Sequence, residues 1–155
     1  MTRGLSDRLD LRLPARAESV PLIRHAMIAF ARDHGYEDGG AIGLAVTEAV
    51  TNAVLHAYPE GEFGDLRAVA CAKPDQLVVV IRDWGAGMGP RLDTPGLGLG
   101  LPTIATLTSS FDVEAAEGVG TLLRMHFARA VAAADSAPPP RGRTRMVRRK
   151  VTLRG

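Results

Sequence analysis

The composition describes a protein with enough apolar residues for one substantial core. The chain has 155 residues, 46% of them hydrophobic, and a single cysteine, Cys71. That length favours one domain, one cysteine excludes a disulfide framework, and no apolar run approaches the roughly 20 residues of a membrane-spanning helix. The N-terminal residues also lack the apolar segment of a signal peptide. We therefore expect a cytoplasmic protein that does not enter the membrane.

The net charge of +2 hides an uneven distribution. Seven of the 19 basic residues lie in residues 137–155, which contain no acidic residue, whereas the other 136 residues carry twelve basic and seventeen acidic groups, a net of −5. Three prolines at 138–140 favour extended geometry. We predict a disordered basic tail over residues 131–155 and no direct contact with nucleic acid.

The first two elements are a strand and a helix. Strict alternation over residues 8–13 predicts a half-buried strand that ends at Pro14. Ser19 as cap, Pro21 in the opening turn and Gly35 as a stop then predict a helix. The residues expected on its core stripe are Leu22, Ile23, Ala26, Met27 and Phe30.

A central helix over residues 44–58 carries polar groups on one face. Glu48, Asn52 and His56 recur every four residues. The expected buried stripe on the opposite side is Ile42, Val46, Val50, Ala53 and Ala57. Leu44 and Leu55 flank the polar face, so we expect it to border a partly apolar cavity. A carboxylate there can take a proton and an amide oxygen can bind a hard cation, but an ordinary solvated face remains the alternative.

Two strands are predicted over residues 66–72 and 76–82, joined by a turn at 73–75. The second is apolar on both faces and should be an interior strand. It leads to Asp83, Gly85 and Gly87. A carboxylate at that position can accept a hydrogen bond from an exocyclic amine, and the glycines permit close backbone approach to a ligand. A simple strand-to-loop turn would explain the same residues.

A second glycine cluster, Gly96, Gly98 and Gly100, precedes a helix predicted to run to about residue 109. Pro102 suits its first turn, and Ile104 and Leu107 should face the core. Unpaired amides at such a helix start can bind phosphate. Neither glycine cluster has P-loop or Rossmann spacing.

The last elements are strands over residues 111–117 and 121–127, which form a hairpin. Thr121 follows Gly120, so its hydroxyl could reach a base, although threonine is also simply a good strand former. The histidines have unrelated spacings and suggest no zinc site.

These motifs together resemble the nucleotide-binding boxes of the GHKL ATPase superfamily. Glu48 with Asn52, the Asp83 and Gly96 glycine boxes, and Gly120 with Thr121 occur in the superfamily's order, and residues 48–58 resemble the anti-sigma factor serine kinase branch. The resemblance covers residues 8–128. It implies an α+β two-layer sandwich of the Bergerat type, with a mixed, mostly antiparallel sheet covered on one face by about three helices. The expected organisation is an extension at 1–7, an ATP-binding domain at 8–130 and the tail at 131–155.

The resemblance also implies roles for individual residues. Asn52 matches the ligand of Mg²⁺, and Glu48 matches the general base that activates the attacking hydroxyl. The remaining positions match contacts to ATP. They are the residue that binds the adenine amine (Asp83, assisted by Thr121), the floor of the purine pocket (Gly85 and Gly87), and the hinge and phosphate contacts of the lid (Gly96, Gly98 and Gly100).

The function implied is a kinase that uses ATP and Mg²⁺ to phosphorylate a serine of a STAS-fold anti-anti-sigma partner, and that also binds a sigma factor. A homodimer is a further expectation from the family. Two features depart from the wider superfamily: residues 88–95 make a short lid with Arg91 as its only cation, and no histidine-bearing dimerisation helix or transducer domain is seen. The alternative hypothesis is a nucleotide-dependent regulatory protein that transfers little or no phosphate.

Overall fold

The elements of the chain are seen in a computed structural model that describes residues 6–86, 100–116 and 118–130. In chain order they are β1 (Arg8–Pro14), α1 (Ser19–Asp33), α2 (Gly39–His56), β2 (Asp65–Ala72), β3 (Gln76–Asp83), α3 (Gly100–Leu107), β4 (Ser110–Ala115) and β5 (Thr121–Ala128). Every helix and strand predicted above is present, with bounds shifted by a few residues.

The five described strands form one sheet in the order β1-β2-β3-β5-β4, and each neighbouring pair is antiparallel. β3 lies at the centre, which confirms the prediction of an interior strand. Alternation along the strands places Leu66, Ile81 and Leu123 on one face, where they join the core formed with the helices. The predicted two-layer α+β fold is therefore confirmed, except that a mixed sheet was expected and all the described strand pairs are antiparallel.

The core lies between this face of the sheet and the three helices. α2 contacts both α1 and α3. The expected stripe of α2 is buried, with Val46 and Val50 completely inaccessible, and Ile104 of α3 is equally buried. Leu22 was expected in the core, but it is 58% exposed. The following residue, Ile23, faces the sheet. Because successive residues of a helix are about 100° apart around its axis, Leu22 points away from the core.

The starts of α1 and α2 differ from the sequence-based expectations. Ser19 is the first residue of α1 and does not cap it; its hydroxyl donates a 2.6 Å hydrogen bond to the carbonyl oxygen of Pro14. α2 begins five residues earlier than expected, because the side chain of Asp38 accepts a 3.1 Å hydrogen bond from the amide of Ala41 and caps the helix. Gly35 follows α1 with a φ of 79°, as a stop residue should.

The second face of the sheet carries charged side chains. Arg67 donates hydrogen bonds of 2.8 and 2.6 Å to the carboxylate of Asp10, which also accepts a 3.0 Å bond from Arg8. The hydrogen bonds from Arg67 and, to a smaller extent, from Arg8 hold the pKa of Asp10 far below its ordinary value. On the same face, Arg12 and Asp65 pair at 2.9 Å. We call this the open face of the sheet.

Candidate functional site

Asp83 is a buried carboxylate at the end of the central strand. Strand alternation directs it to the helix-covered face, where it is 6% exposed. Its Oδ1 accepts a 2.9 Å hydrogen bond from the amide of Gly85 and a 3.2 Å bond from the amide of Thr121. Burial raises the pKa of Asp83, although these two bonds and the charge of Arg82 favour the ionised form. The buried Asp83 carboxylate therefore has fewer hydrogen-bond donors than it would have in water.

Gly85 brings the loop after β3 against the end of α2. A Cβ at this position would overlap the carbonyl group of Ala57, and the neighbouring Ala86 amide donates a 2.8 Å hydrogen bond to that same oxygen. The sequence analysis expected the glycine to permit approach to a ligand. The close approach that the structure shows is to the backbone of α2, and it fixes Asp83 near the end of that helix.

Gly120 and Thr121 complete the surroundings of Asp83 from the other side. Gly120 has a φ of 104°, and a Cβ there would overlap the carbonyl group of Asp83. The glycine therefore lets β5 begin directly beside the end of β3. Thr121 is 9% exposed, and its backbone amide donates to Asp83; the role expected of its hydroxyl stays a prediction.

The polar stripe of α2 extends away from this carboxylate. Asn52 and Glu48 precede Ala57 by five and nine residues, which corresponds to about 7.5 and about 13.5 Å along the helix axis. Both side chains are half-buried, and neither forms a hydrogen bond or ion pair with another residue of the described ranges. An amide and a carboxylate that have no partner among the described residues can hydrogen-bond to water or to a bound molecule.

The apolar surroundings expected for this stripe are only partly present. Leu44 and Leu55 are 47% and 64% exposed. They lie on the side of α2 that points away from the sheet. Residues 87–99 lie outside the described residues, so the partly apolar cavity expected beside Glu48 and Asn52 stays a prediction. The stripe runs along the boundary between the exposed crest of α2 and its buried side.

Several other predicted positions lie outside the described residues. These are Gly87, Gly96 and Gly98, together with the short segment 88–95 and its Arg91. Gly100 is the first residue of α3. Within residues 6–86, 100–116 and 118–130, no group of three or more His, Cys, Asp or Glu side chains could hold a metal ion. The role of Asn52 as a magnesium ligand stays a prediction.

Tyr58 is a structural residue of the site that the sequence analysis missed. Its hydroxyl donates a 2.7 Å hydrogen bond to the carbonyl oxygen of Asp65 and accepts a 3.1 Å bond from the amide of Trp84. It thereby joins the end of α2 to β2 and to the residue after Asp83. Its partners are seven and 26 residues away, so no local pattern in the sequence could have indicated this role.

Comparison with known proteins identifies the class to which this fold and site belong. A family model described as the histidine kinase-like ATPase domain matches residues 13–127, and the chain belongs to this family. It is similar to the proteins named serine-protein kinase RsbW from Bacillus mycoides (strain KBAB4) and Bacillus cereus (strain AH187), each 29% identical over 149 residues, covering 85% of this chain and 92% of the relative. The predicted relationship to the anti-sigma factor kinases of the GHKL superfamily is confirmed. Among the described helices, none has both the length and the apolar character needed to cross a membrane.

Proposed function

We propose that this chain is an ATP-dependent protein serine kinase of the anti-sigma factor type, with Asp83 at the adenine end of its site and Glu48 at the reacting end. The observation that carries the proposal is the buried Asp83 carboxylate, held by two backbone amides beside the helix that bears Asn52 and Glu48. The family match to an ATPase domain and the similarity to serine-protein kinases support the same reaction class.

The surroundings of Asp83 suit the exocyclic amine of adenine. The pKa of this carboxyl is raised even though two amides and Arg82 stabilise its charge, so the ionised form has lost more solvation than these groups replace. An amine that donates to the carboxylate supplies part of what is missing. We assign Thr121 as an assistant at the same end, Gly85 and Gly87 to the purine pocket, and the phosphate contacts to Gly96, Gly98 and Gly100.

Asn52 suits a magnesium ion that is held mainly by phosphates. Its amide has no competing partner among the described residues. Mg²⁺ typically keeps several waters and takes few protein ligands when it is bound to a nucleotide. When bound, the ion would neutralise charge on the phosphates during transfer. Asn52→Ala should therefore abolish the Mg²⁺-dependent part of ATP binding, which calorimetry with and without the ion would measure.

Glu48 is proposed as the general base. It accepts the proton of the acceptor serine, the serine oxygen forms a bond to the γ-phosphorus, and the bond from that phosphorus to the β–γ bridging oxygen breaks, leaving ADP. The carboxylate lies at the boundary between the exposed crest and the buried side of α2, so a hydroxyl presented by a second protein can reach it. Nucleotide binding alone would need Asn52 and Asp83 but no base.

The direct test is phosphotransfer from labelled ATP with Mg²⁺ to a panel of purified STAS-fold proteins. We expect one of them to become labelled on a serine. Glu48→Gln should abolish the label while ATP affinity stays within about twofold, and Glu37→Gln, at an exposed position in the α1–α2 loop, should behave as the unmodified chain does. Label that persists in Glu48→Gln would refute the assignment of the base.

The alternative, a nucleotide-dependent binding protein without significant transfer, is favoured by one sequence feature. Only eight residues, 88–95, separate the two glycine boxes, and Arg91 is the only cation among them. The phosphotransfer assay described above distinguishes the kinase from the binding protein. Tight Mg·ATP binding with no label on any acceptor would replace the kinase by the binding protein.

The proposed partners follow from the same family. We propose a STAS-fold anti-anti-sigma protein as acceptor, a sigma factor as the sequestered protein, and a homodimer as the assembly, in the cytoplasm. Identifying the proteins that co-purify with the tagged chain tests the sigma-factor proposal. Light scattering of the purified chain tests the homodimer proposal. We expect a sigma factor among the co-purified proteins and a mass of twice 16.4 kDa.

A further inference from the structure

Two exposed leucines lie on either side of Glu48 along α2. Leu44 and Leu55 are 47% and 64% exposed, and among the described residues neither packs against the hydrophobic core. Because successive residues of a helix are about 100° apart, the two leucines point in directions only about 20° apart around the helix axis. Along the axis, Glu48 lies about 6 Å from Leu44 and about 10.5 Å from Leu55. We call these three residues the leucine crest.

Glu48 lies between two strips of the helix surface. One strip carries the leucines, and the other carries Asn52, the proposed ligand of Mg²⁺. Helix geometry places Glu48 about 40° around the axis from Leu44 and about 40° from Asn52, in opposite directions. The leucine side and the nucleotide side are therefore about 80° apart, with the proposed base at their boundary. A base that takes a proton from one molecule while a phosphoryl group arrives from another needs access to both sides.

The position of Glu48 identifies what covers the leucines, and this step rests on the proposed kinase function. A base takes a proton from a hydroxyl whose oxygen is about 2.6–3.2 Å away. A folded acceptor that brings a serine so close also covers the surroundings, because even a domain of about 100 residues has a radius of gyration of about 13 Å. Leu44 and Leu55 are only about 16.5 Å apart along the helix axis. An acceptor seated on Glu48 therefore reaches both leucines.

We propose that the leucine crest is the docking surface for the acceptor protein, and that this partner carries apolar side chains on both sides of its acceptor serine. One of them packs against Leu44, and the other, further from the serine, packs against Leu55. Single exposed leucines are ordinary on protein surfaces, but these two flank the proposed base and gain from burial only when a partner is bound. They touch no reacting atom. Their contribution is to the affinity for the acceptor, which distinguishes them from Glu48.

The test is phosphotransfer by the full-length chain to the STAS-fold protein that becomes labelled, measured over a range of acceptor concentrations. Leu44→Gln and Leu55→Gln replace an apolar side chain by a polar one of similar size and helix propensity at exposed positions, so neither variant should disturb folding. We expect each to raise the KM for the acceptor about fivefold or more, with kcat and ATP affinity within about twofold of the unmodified chain. The matched control is Leu22→Gln on α1, a leucine that is 58% exposed, which should leave this KM unchanged.

An unchanged KM in both crest variants, or an equal rise in Leu22→Gln, overturns the docking surface and leaves the kinase proposal standing. A loss of ATP affinity as large as the rise in KM places the leucines in the nucleotide site and also overturns it. If no STAS-fold protein is labelled, the kinase proposal fails separately, and calorimetry then measures binding of the same panel to the chain with Mg·ATP. Binding that both crest variants lose and Leu22→Gln keeps supports the docking surface, whereas no binding by any member of the panel overturns it.

Discussion

Replacing Asp83 by asparagine separates the structural role of this side chain from its proposed role in reading adenine. In Asp83→Asn the side-chain oxygen can keep the place of Oδ1 and accept from the amides of Gly85 and Thr121, which are 2.9 and 3.2 Å away. The new NH₂ group then takes the other position. There it faces the amine of adenine, so two donors oppose each other, and we expect the fold to persist and ATP binding to weaken.

The size of the effect follows from the bond that is removed. A hydrogen bond to a charged group contributes about 1.5–3 kcal/mol, which corresponds to a roughly 10- to 150-fold weaker affinity for ATP. Calorimetry measures the affinity, and circular dichroism during heating checks the fold. Asp75→Asn, at an exposed position in the β2–β3 turn, is the control. Binding of ATP by a folded Asp83→Asn protein within twofold of the unmodified chain would refute the assignment.

Three further predictions concern stability. Gly85→Ala places a methyl group on the backbone at the end of α2, and overpacking of about 1–3 kcal/mol should lower Tm by about 2–10 °C, whereas Gly40→Ala, with 3.9 Å to its nearest atom, should not lower it. Tyr58→Phe removes a hydroxyl with two hydrogen bonds and should reduce the free energy of unfolding in urea by more than Tyr36→Phe, which removes one; equal losses would contradict the bridging role. Because the pKa of Asp83 is raised above 3.8, the folded chain binds that proton more tightly than the unfolded chain, so the contribution of Asp83 to stability is greatest below pH 3.8 and is lost as the pH rises through the folded-state pKa. Urea unfolding across that range should show this decline in the unmodified chain, and Asp83→Asn should lack it.

Local periodicity was sufficient to predict the secondary structure and the central position of β3. Alternation in β1 and the two-sided apolar character of β3 depend only on which face each residue presents, and the structure confirms both. The helix starts were less predictable. Ser19 and Asp38 are equally plausible caps in the sequence, and which of them bonds to its own helix is decided by tertiary contacts.

The candidate site could be predicted in its residue types but not in its contacts. Asp83, Asn52 and Glu48 were singled out by their spacing and by the family resemblance, and their roles stay predictions. The contacts that position Asp83 are long-range: the amide of Thr121 lies 38 residues further along the chain. The same holds for Trp84, whose two arginine neighbours come from β1 and β3, and for Tyr58. Pairings of this kind depend on strand order, which periodicity does not define.

The position of β5 between β3 and β4 has a consequence for synthesis on the ribosome. The central strand acquires its second neighbour from residues 121–128, so a nascent chain that ends before them exposes one edge of β3 and leaves the Asp83 carboxylate without one of its two amide donors. The surroundings of Asp83 are therefore completed last, after the other four described strands and the three described helices have emerged. Until then β3 is paired with β2 on one side only, and its other, apolar edge needs protection from aggregation.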